Sequence, residues 1–288
     1  QSPGHLEWAF RGGANLEFAE DPEDPYCYCM SNPKSYEFIF DIMDEAIELF
    51  GQPEYFHAGR DEFDMRGNMP VDETCKAIGK ERLYIQDTLK VYEHLKSRGC
   101  KVMMWGDILT KPGFRELVDE LPKDILINDW RYSPSQTYPT VDFYQEHGFP
   151  VVGGTWYDPR NIYYFCRYAD KRKIDGMLHT TWTGFESEEA VLRKYPEQAY
   201  AYVLAGIWMW NPLRPHVDNL PFKPKAYFDL AWSEHQRGGS DFAVVDLKPY
   251  CNISRADSGR AVGWLGVGRE QDLHSLPSGT IGIGGVPY

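Results

Sequence analysis

The chain has 288 residues, of which 42% are hydrophobic, and 30 Lys and Arg stand against 43 Asp and Glu for a net charge of −13. That length accommodates one large domain or one and a half ordinary ones. The shortage of cations argues against nucleic acid and anionic membrane as main partners, because phosphates need cations to neutralise them. No apolar run is long enough to span a bilayer, so no membrane insertion is expected. Aromatic residues make up 15%, with nine Trp and nineteen Tyr. Flat aromatic faces suit sugar rings as well as a packed core.

Residues 1–33 read as loop. "SYEFIFDIMDEAIELF" (Ser35 to Phe50) repeats apolar residues every three or four positions, which predicts an amphipathic helix. "PEYFHAG" follows as a short strand, "KERLYIQDTLKVYEHLKSRG" as a helix stopped by Gly99, and "CKVMMWGDIL" as a buried strand. A short helix near Phe114 to Glu120 precedes the strand "DILINDW". "TVDFYQEHG" is a helix ending on glycine, "FPVVGGTWYD" a strand, "NIYYFCRYADKRK" a helix and "IDGMLHTTWTG" a strand. "SEEAVLRKYPEQAYAYVLAGIWMW" is a helix with Pro196 inside it.

Apolar strands alternating with amphipathic helices predict a parallel sheet covered by helices. An open doubly wound sheet and a barrel both fit. No GxGxxG opens a helix after a strand, which weakens the dinucleotide-binding alternative. Polar and aromatic residues cluster at each strand's C-terminal end, where a barrel places its chemistry: His57 to Glu62, Trp105 to Asp107, Asn128 to Trp130, Trp156 to Asp158 and Thr180 to Trp182. The expected fold is therefore an α/β (β/α)8 TIM barrel, incomplete, with strands four to eight present. Residues 1–232 form its C-terminal part, 233–240 a linker, and 241–288, rich in Gly, Ser and Pro, the start of a small all-β module. The chain opens with Gln1 inside a motif and closes on "GGVPY", so a piece of a longer protein is expected.

The six cysteines (Cys27, Cys29, Cys75, Cys100, Cys166 and Cys251) show no CxxC or HxxxH spacing. No metal site and no cofactor are expected, and free buried thiols are the default over a disulfide network involving Cys27 and Cys29. Asn252-Ile253-Ser254 matches a glycosylation sequon, a triplet frequent by chance.

"YFHAGRDEF" (Tyr55 to Phe63) sets Asp61 and Glu62 side by side at the end of a strand. It resembles the His-x-Gly-x-Asp-Glu signature of family 20 glycoside hydrolases, the β-N-acetylhexosaminidases. "SPGH" resembles that family's Pro-Gly-His loop, "VMMWGD" its strand-five Trp motif and "TTW" its strand-eight Trp, all in order from residue 2 to residue 182. The resemblance covers about residues 1–210. It implies exo-acting hydrolysis of a terminal β-linked N-acetylhexosamine, with retention, in which the substrate's own acetamide oxygen attacks the anomeric carbon. In that chemistry Glu62 is the acid and then the base that activates water. Asp61 holds the acetamide N–H and balances the oxazolinium charge. Two close carboxylates also oppose each other's ionisation, which helps to keep one protonated.

By the same resemblance Trp105, Trp130 and Trp182 box the acetamide methyl, against a plain reading as core tryptophans. Tyr157 donates to the acetamide oxygen, and His5 tunes the acid. His57 is read as support for its strand. Asp107 either binds a sugar hydroxyl or caps a loop, and Asp158 is the acid after the strand-seven Tyr, one residue off the family position. Two departures stand out. Arg60 replaces a second glycine and sets a bulky cation beside the pair, placed to reshape the site or to lower a carboxylate pKa. Gly184 stands where a sugar-binding Glu is usual, with Glu186 the nearest acid. The implied partner is an N-acetylhexosamine-containing glycan, and the implied location secreted, periplasmic or cell-surface. A glycan-binding barrel without turnover, favoured by Arg60 and Gly184, and a hydrolase of sugars lacking an acetamide are the competing readings.

Overall fold

The computed structural model describes residues 2–182, 195–236, 243–245 and 281–283. The chain divides into two compact units. The first comprises Gln1–Tyr132, Gln136–Thr155 and Tyr168–Leu178; the second comprises Ser133–Ser135, Trp156–Arg167 and His179–Tyr288.

Helices and strands alternate as the sequence pattern requires. Helix α1 (Pro33–Leu49) opens with Pro33 behind Asn32, whose side chain accepts the Lys34 N–H. It buries Tyr36, Ile39, Met43 and Ile47, one face at three- and four-residue spacing. Strand β1 (Tyr55–His57) leads through the acidic loop to a short α2 (Glu73–Ile78), capped by Asp72, and then to α3 (Lys80–Ser97). Strand β2 (Lys101–Trp105), a 3-10 turn at Arg115–Glu120, β3 (Leu126–Trp130), α4 (Pro139–Glu146), β4 (Val151–Thr155), α5 (Pro159–Arg172) and β5 (Gly176–His179) follow. Gly99 and Gly148, expected as helix stops, both take the left-handed backbone, with φ of 81° and 79°.

The five strands form one sheet in the order β1-β2-β3-β4-β5, and the β1–β2, β2–β3 and β3–β4 pairs are parallel. A doubly wound sheet reverses its strand order at a switch point. This sheet has no reversal, so successive strands add on one side as in a run of barrel strands. The N-terminal segment continues the series: Ser2 bridges Gly59 in parallel, and Arg60 N–H donates to Ser2 C=O at 2.7 Å.

In the second unit, α6 (Pro196–Trp210) starts at Pro196, after Tyr195 with φ of −125°. The expectation of a helix running through Pro196 is thus corrected. An interior proline would lose a hydrogen bond and clash with the preceding turn, whereas at the first position its missing N–H costs nothing. Helix α7 (Pro224–Gln236), not foreseen from the sequence, extends into the segment read as linker. Strands β6 (Ala243–Val245) and β7 (Ile281–Ile283) pair antiparallel. Gly184, Glu186, Cys251 and the sequon lie outside the described residues. Among the described residues no helix is long and apolar enough to cross a membrane.

Candidate active site

In the first unit the loop after β1 is wound through the left-handed region, with φ of 79° at Gly59, 79° at Arg60 and 44° at Glu62. Non-glycine residues adopt that region at a cost of about 1–2 kcal/mol each, and such strain gathers at functional loops. Here it turns Asp61 inward, 8% exposed, and leaves the Glu62 side chain 36% exposed.

His5 is delivered to the pair by the Ser2–Gly59 bridge. Its Nε2 lies 3.4 Å from Asp61 Oδ2 and 3.4 Å from Glu62 Oε2. The hydrogen bond to Asp61 raises the imidazole pKa above its ordinary value against the opposing effect of burial, and the charges of Asp61 and Glu62 add to the rise. Gly4 has to be glycine, since a Cβ there would meet the Tyr26 ring at 2.8 Å and Phe63 Cα at 3.0 Å. Tyr26 packs edge-on against His5 and donates its hydroxyl to the Glu62 carbonyl at 3.0 Å. The sequence reading missed this tyrosine, because no motif marks it.

The Asp107 side chain does not cap its turn, and each of its oxygens accepts one N–H. Oδ2 accepts the Glu62 backbone N–H at 3.3 Å and Oδ1 the Trp130 indole N–H at 3.2 Å. Burial, followed by the negative charge of Asp61, pushes its carboxyl up to about 6, although both hydrogen bonds pull the other way. Gly106 makes this turn possible: a Cβ there would meet Ile127 and the Tyr144 hydroxyl at 2.8 Å each. His57 supports the strand end. Its Nδ1 accepts the Gly59 N–H at 3.1 Å, its ring lies 4.6 Å from that of Trp105, and burial lowers its pKa to about 4, so it is neutral at pH 7.

Arg60 does not face the carboxylate pair, which corrects the expectation that it reshapes the site or acts on a carboxylate there. Its guanidinium is fully buried, 2.5 Å from Asp87 on α3 and 2.7 Å from Thr88 Oγ1, while Tyr84 donates to the Arg60 carbonyl at 2.7 Å. Burial works against its charge, but Asp87 outweighs that and holds it protonated. Asp87 also accepts from the Tyr28 and Tyr36 hydroxyls.

The second unit carries the other residues singled out in the sequence. Tyr157 and Trp182 are 47% and 45% exposed. Gln198 on α6 accepts the Trp182 N–H at 3.1 Å, donates to the Trp182 C=O at 2.8 Å and accepts the Trp156 indole N–H at 2.9 Å. It too had no sequence signal. Asp158 is engaged by Arg160 through both carboxylate oxygens and by the Arg160 backbone N–H, so it caps the start of α5.

Among the described residues, two groups of side chains present ligand atoms within 4.8 Å of one another: His5, Asp61 and Glu62, and separately Glu20, Cys29 and Cys75. In the first group a partly exposed carboxylate and a buried carboxylate each lie 3.4 Å from one histidine, an arrangement able to handle a proton.

The model of "Glycosyl hydrolase family 20, catalytic domain" matches residues 14–202, about two thirds of the chain. No match was found among curated proteins. Among solved structures, β-N-acetylhexosaminidase from Bacteroides fragilis is similar with 22% identity and a TM-score of 0.54, over 83% of this chain and 51% of that one. The GH20 exo-β-N-acetylglucosaminidase from Vibrio harveyi, in complex with N-acetylglucosamine, is similar with 16% identity and a TM-score of 0.55, over 82% of this chain and 41% of that one. The chain thus spans about half the length of these proteins or less, and at such identities the likeness concerns the fold, a TIM-barrel type in this family. With two thirds of its length matched by the catalytic-domain model, the chain belongs to glycosyl hydrolase family 20.

Proposed function

We propose that the protein is a retaining exo-β-N-acetylhexosaminidase that works by substrate-assisted catalysis. The observation that carries this reading is the single histidine set 3.4 Å from each of two adjacent carboxylates, one buried and one half-exposed. Glu62, reachable from solvent, protonates the glycosidic oxygen as the bond to the leaving group breaks. The acetamide carbonyl oxygen of the substrate forms the new bond at the anomeric carbon. Asp61 accepts the acetamide N–H and stabilises the oxazolinium cation. Glu62, now a carboxylate, takes a proton from the water that opens this ring, and the two inversions give net retention.

Asp107 fixes Trp130 and the Glu62 backbone in one arrangement, and an acetamide held rigidly attacks in line far more often than a loose one. Trp105 and Trp130 are proposed to pack on the acetamide methyl, and the exposed rings of Tyr157 and Trp182 as sugar contacts of the second unit. The proposed partner is an N-acetylhexosamine-containing glycan. The proposed location is secreted, periplasmic or cell-surface.

The test compares hydrolysis of chromogenic β-N-acetylglucosaminide and β-glucoside by the full-length protein. Turnover of the acetamido sugar alone, reduced by about 10²–10⁴ in Glu62→Gln, is expected. Equal turnover of the glucoside would remove the role given to Asp61. A glycan-binding barrel without turnover rests on Arg60 and Gly184; the Arg60 guanidinium points to Asp87 rather than to the carboxylate pair, and Gly184 lies outside the described residues.

A further inference from the structure

Away from the catalytic pair, the N-terminal loop and α2 bring together three buried side chains that lie far apart in sequence. Glu20 is 3% exposed, Cys29 7% and Cys75 0%. Cys75 Sγ is 3.2 Å from Glu20 Oε2, and the two sulfurs are 3.8 Å apart. The other Glu20 oxygen accepts the Val71 and Asp72 N–H groups at 2.8 and 2.9 Å. Among the described residues no Lys or Arg pairs with Glu20, so a buried carboxylate faces two thiols without a cation. That arrangement is costly unless a positive charge joins it.

We propose that Glu20, Cys29 and Cys75 bind one zinc-like divalent cation. The spacing of the sulfurs carries this. Two thiolates bound at about 2.3 Å to a tetrahedral Zn²⁺ lie at the ends of a tetrahedron edge of about 3.8 Å, as found here. A disulfide needs about 2.05 Å. Two sulfurs and one carboxylate select zinc or a similarly soft cation over calcium or magnesium. A cleft of about 520 Å³ lined by Glu20, Cys29, Ser31 and Asp72 gives the ion an entry path and room for a water as fourth ligand. On binding, both thiol protons leave to solvent and no electrons are exchanged. The bound ion clamps the loop that carries His5 and Tyr26 to the helix that follows the catalytic loop.

The experiment titrates Co²⁺, then Zn²⁺, into the full-length protein after reduction and chelation. Expected are one equivalent bound, with thiolate-to-cobalt charge-transfer and tetrahedral d–d absorption, and a Tm raised by roughly 5–10 °C at a hundredfold excess over Kd. The charge-transfer band should fall in Cys29→Ser and Cys75→Ser, and Glu20→Gln should alter the d–d spectrum. Because a serine variant can fail to fold, alkylation of the unmutated protein is mapped by peptide mass as well, with Zn²⁺ expected to protect Cys29 and Cys75. Absence of stoichiometric binding, binding that leaves both thiols open to alkylation, or a Cys29–Cys75 peptide pair two hydrogens lighter in the protein as isolated would each overturn the proposal.

Discussion

Arg60 stands next to Asp61 in sequence yet points its guanidinium at Asp87, 2.5 Å away inside the first unit. The backbone at Arg60 accepts a left-handed φ of 79° to do so. Arg60→Gly relieves that strain but strands a buried carboxylate. Breaking a buried ion pair outweighs the conformational gain, so urea denaturation should show a loss of roughly 3 kcal/mol. Arg60→Gly/Asp87→Asn should recover part of it. At temperatures where the variant is folded, kcat should change less than tenfold. A larger change at unaltered stability would return Arg60 to the site.

Asp107 carries a pH signature. Its folded pKa of about 6 exceeds the ordinary carboxylate value of 3.8, so between those values the native state holds a proton that the unfolded chain has released. Stability therefore falls as pH rises through this window, by roughly 3 kcal/mol in all for a two-unit shift. Asp107→Asn should lack that slope, which is read as the difference between variant and parent stability at pH 4 and pH 7. Parallel curves would show that Asp107 is not the titrating group.

For His5 the sign is opposite to that of a depressed acid. A raised histidine pKa stabilises the fold fully below the unfolded value of 6.5, and this is lost as pH climbs through the folded pKa. NMR titration of the imidazole should place its midpoint above 6.5 in the parent and lower in Asp61→Asn. A midpoint at or below 6.5 in the parent would contradict the hydrogen bond to Asp61.

Gln198→Ala removes three hydrogen bonds from two tryptophans. Each of the three partners left without Gln198 costs about 1 kcal/mol, so a loss of about 3 kcal/mol in stability is expected, together with a shifted tryptophan emission. Unchanged emission and stability would show that Trp156 and Trp182 hold their places without it.

Gly4→Ala forces a Cβ into the Tyr26 ring. Tyr26 must shift, and with it the hydroxyl on Glu62. Turnover should drop at least tenfold while the Tm falls by only a few degrees. Full activity would mean that turnover does not depend on Tyr26 positioning Glu62.

The sequence alone determined what local periodicity and spacing can encode. Apolar runs gave β1 to β5, helical spacing gave α1, α3 and α4, and Gly99 and Gly148 marked their stops, because strand and helix periods and the freedom of glycine act over a few residues. The Asp61–Glu62 pair was legible for the same reason: both lie in one nine-residue stretch. What the tertiary structure decided is which distant groups meet. Arg60 reads as a cation beside two acids until α3 supplies Asp87, 27 residues on. Asp107 reads equally as a sugar-hydroxyl ligand or a loop cap, and only the fold brings the Trp130 indole of β3 to it; Gln198 carries no motif at all. The cysteines read as scattered thiols because no short segment carries two of them at a metal-ligand spacing. Cys29 and Cys75, 46 residues apart, become neighbours only when the loop folds onto α2. Hydrogen bonds and ion pairs form through space, and their partners are set by packing that no short stretch of chain contains.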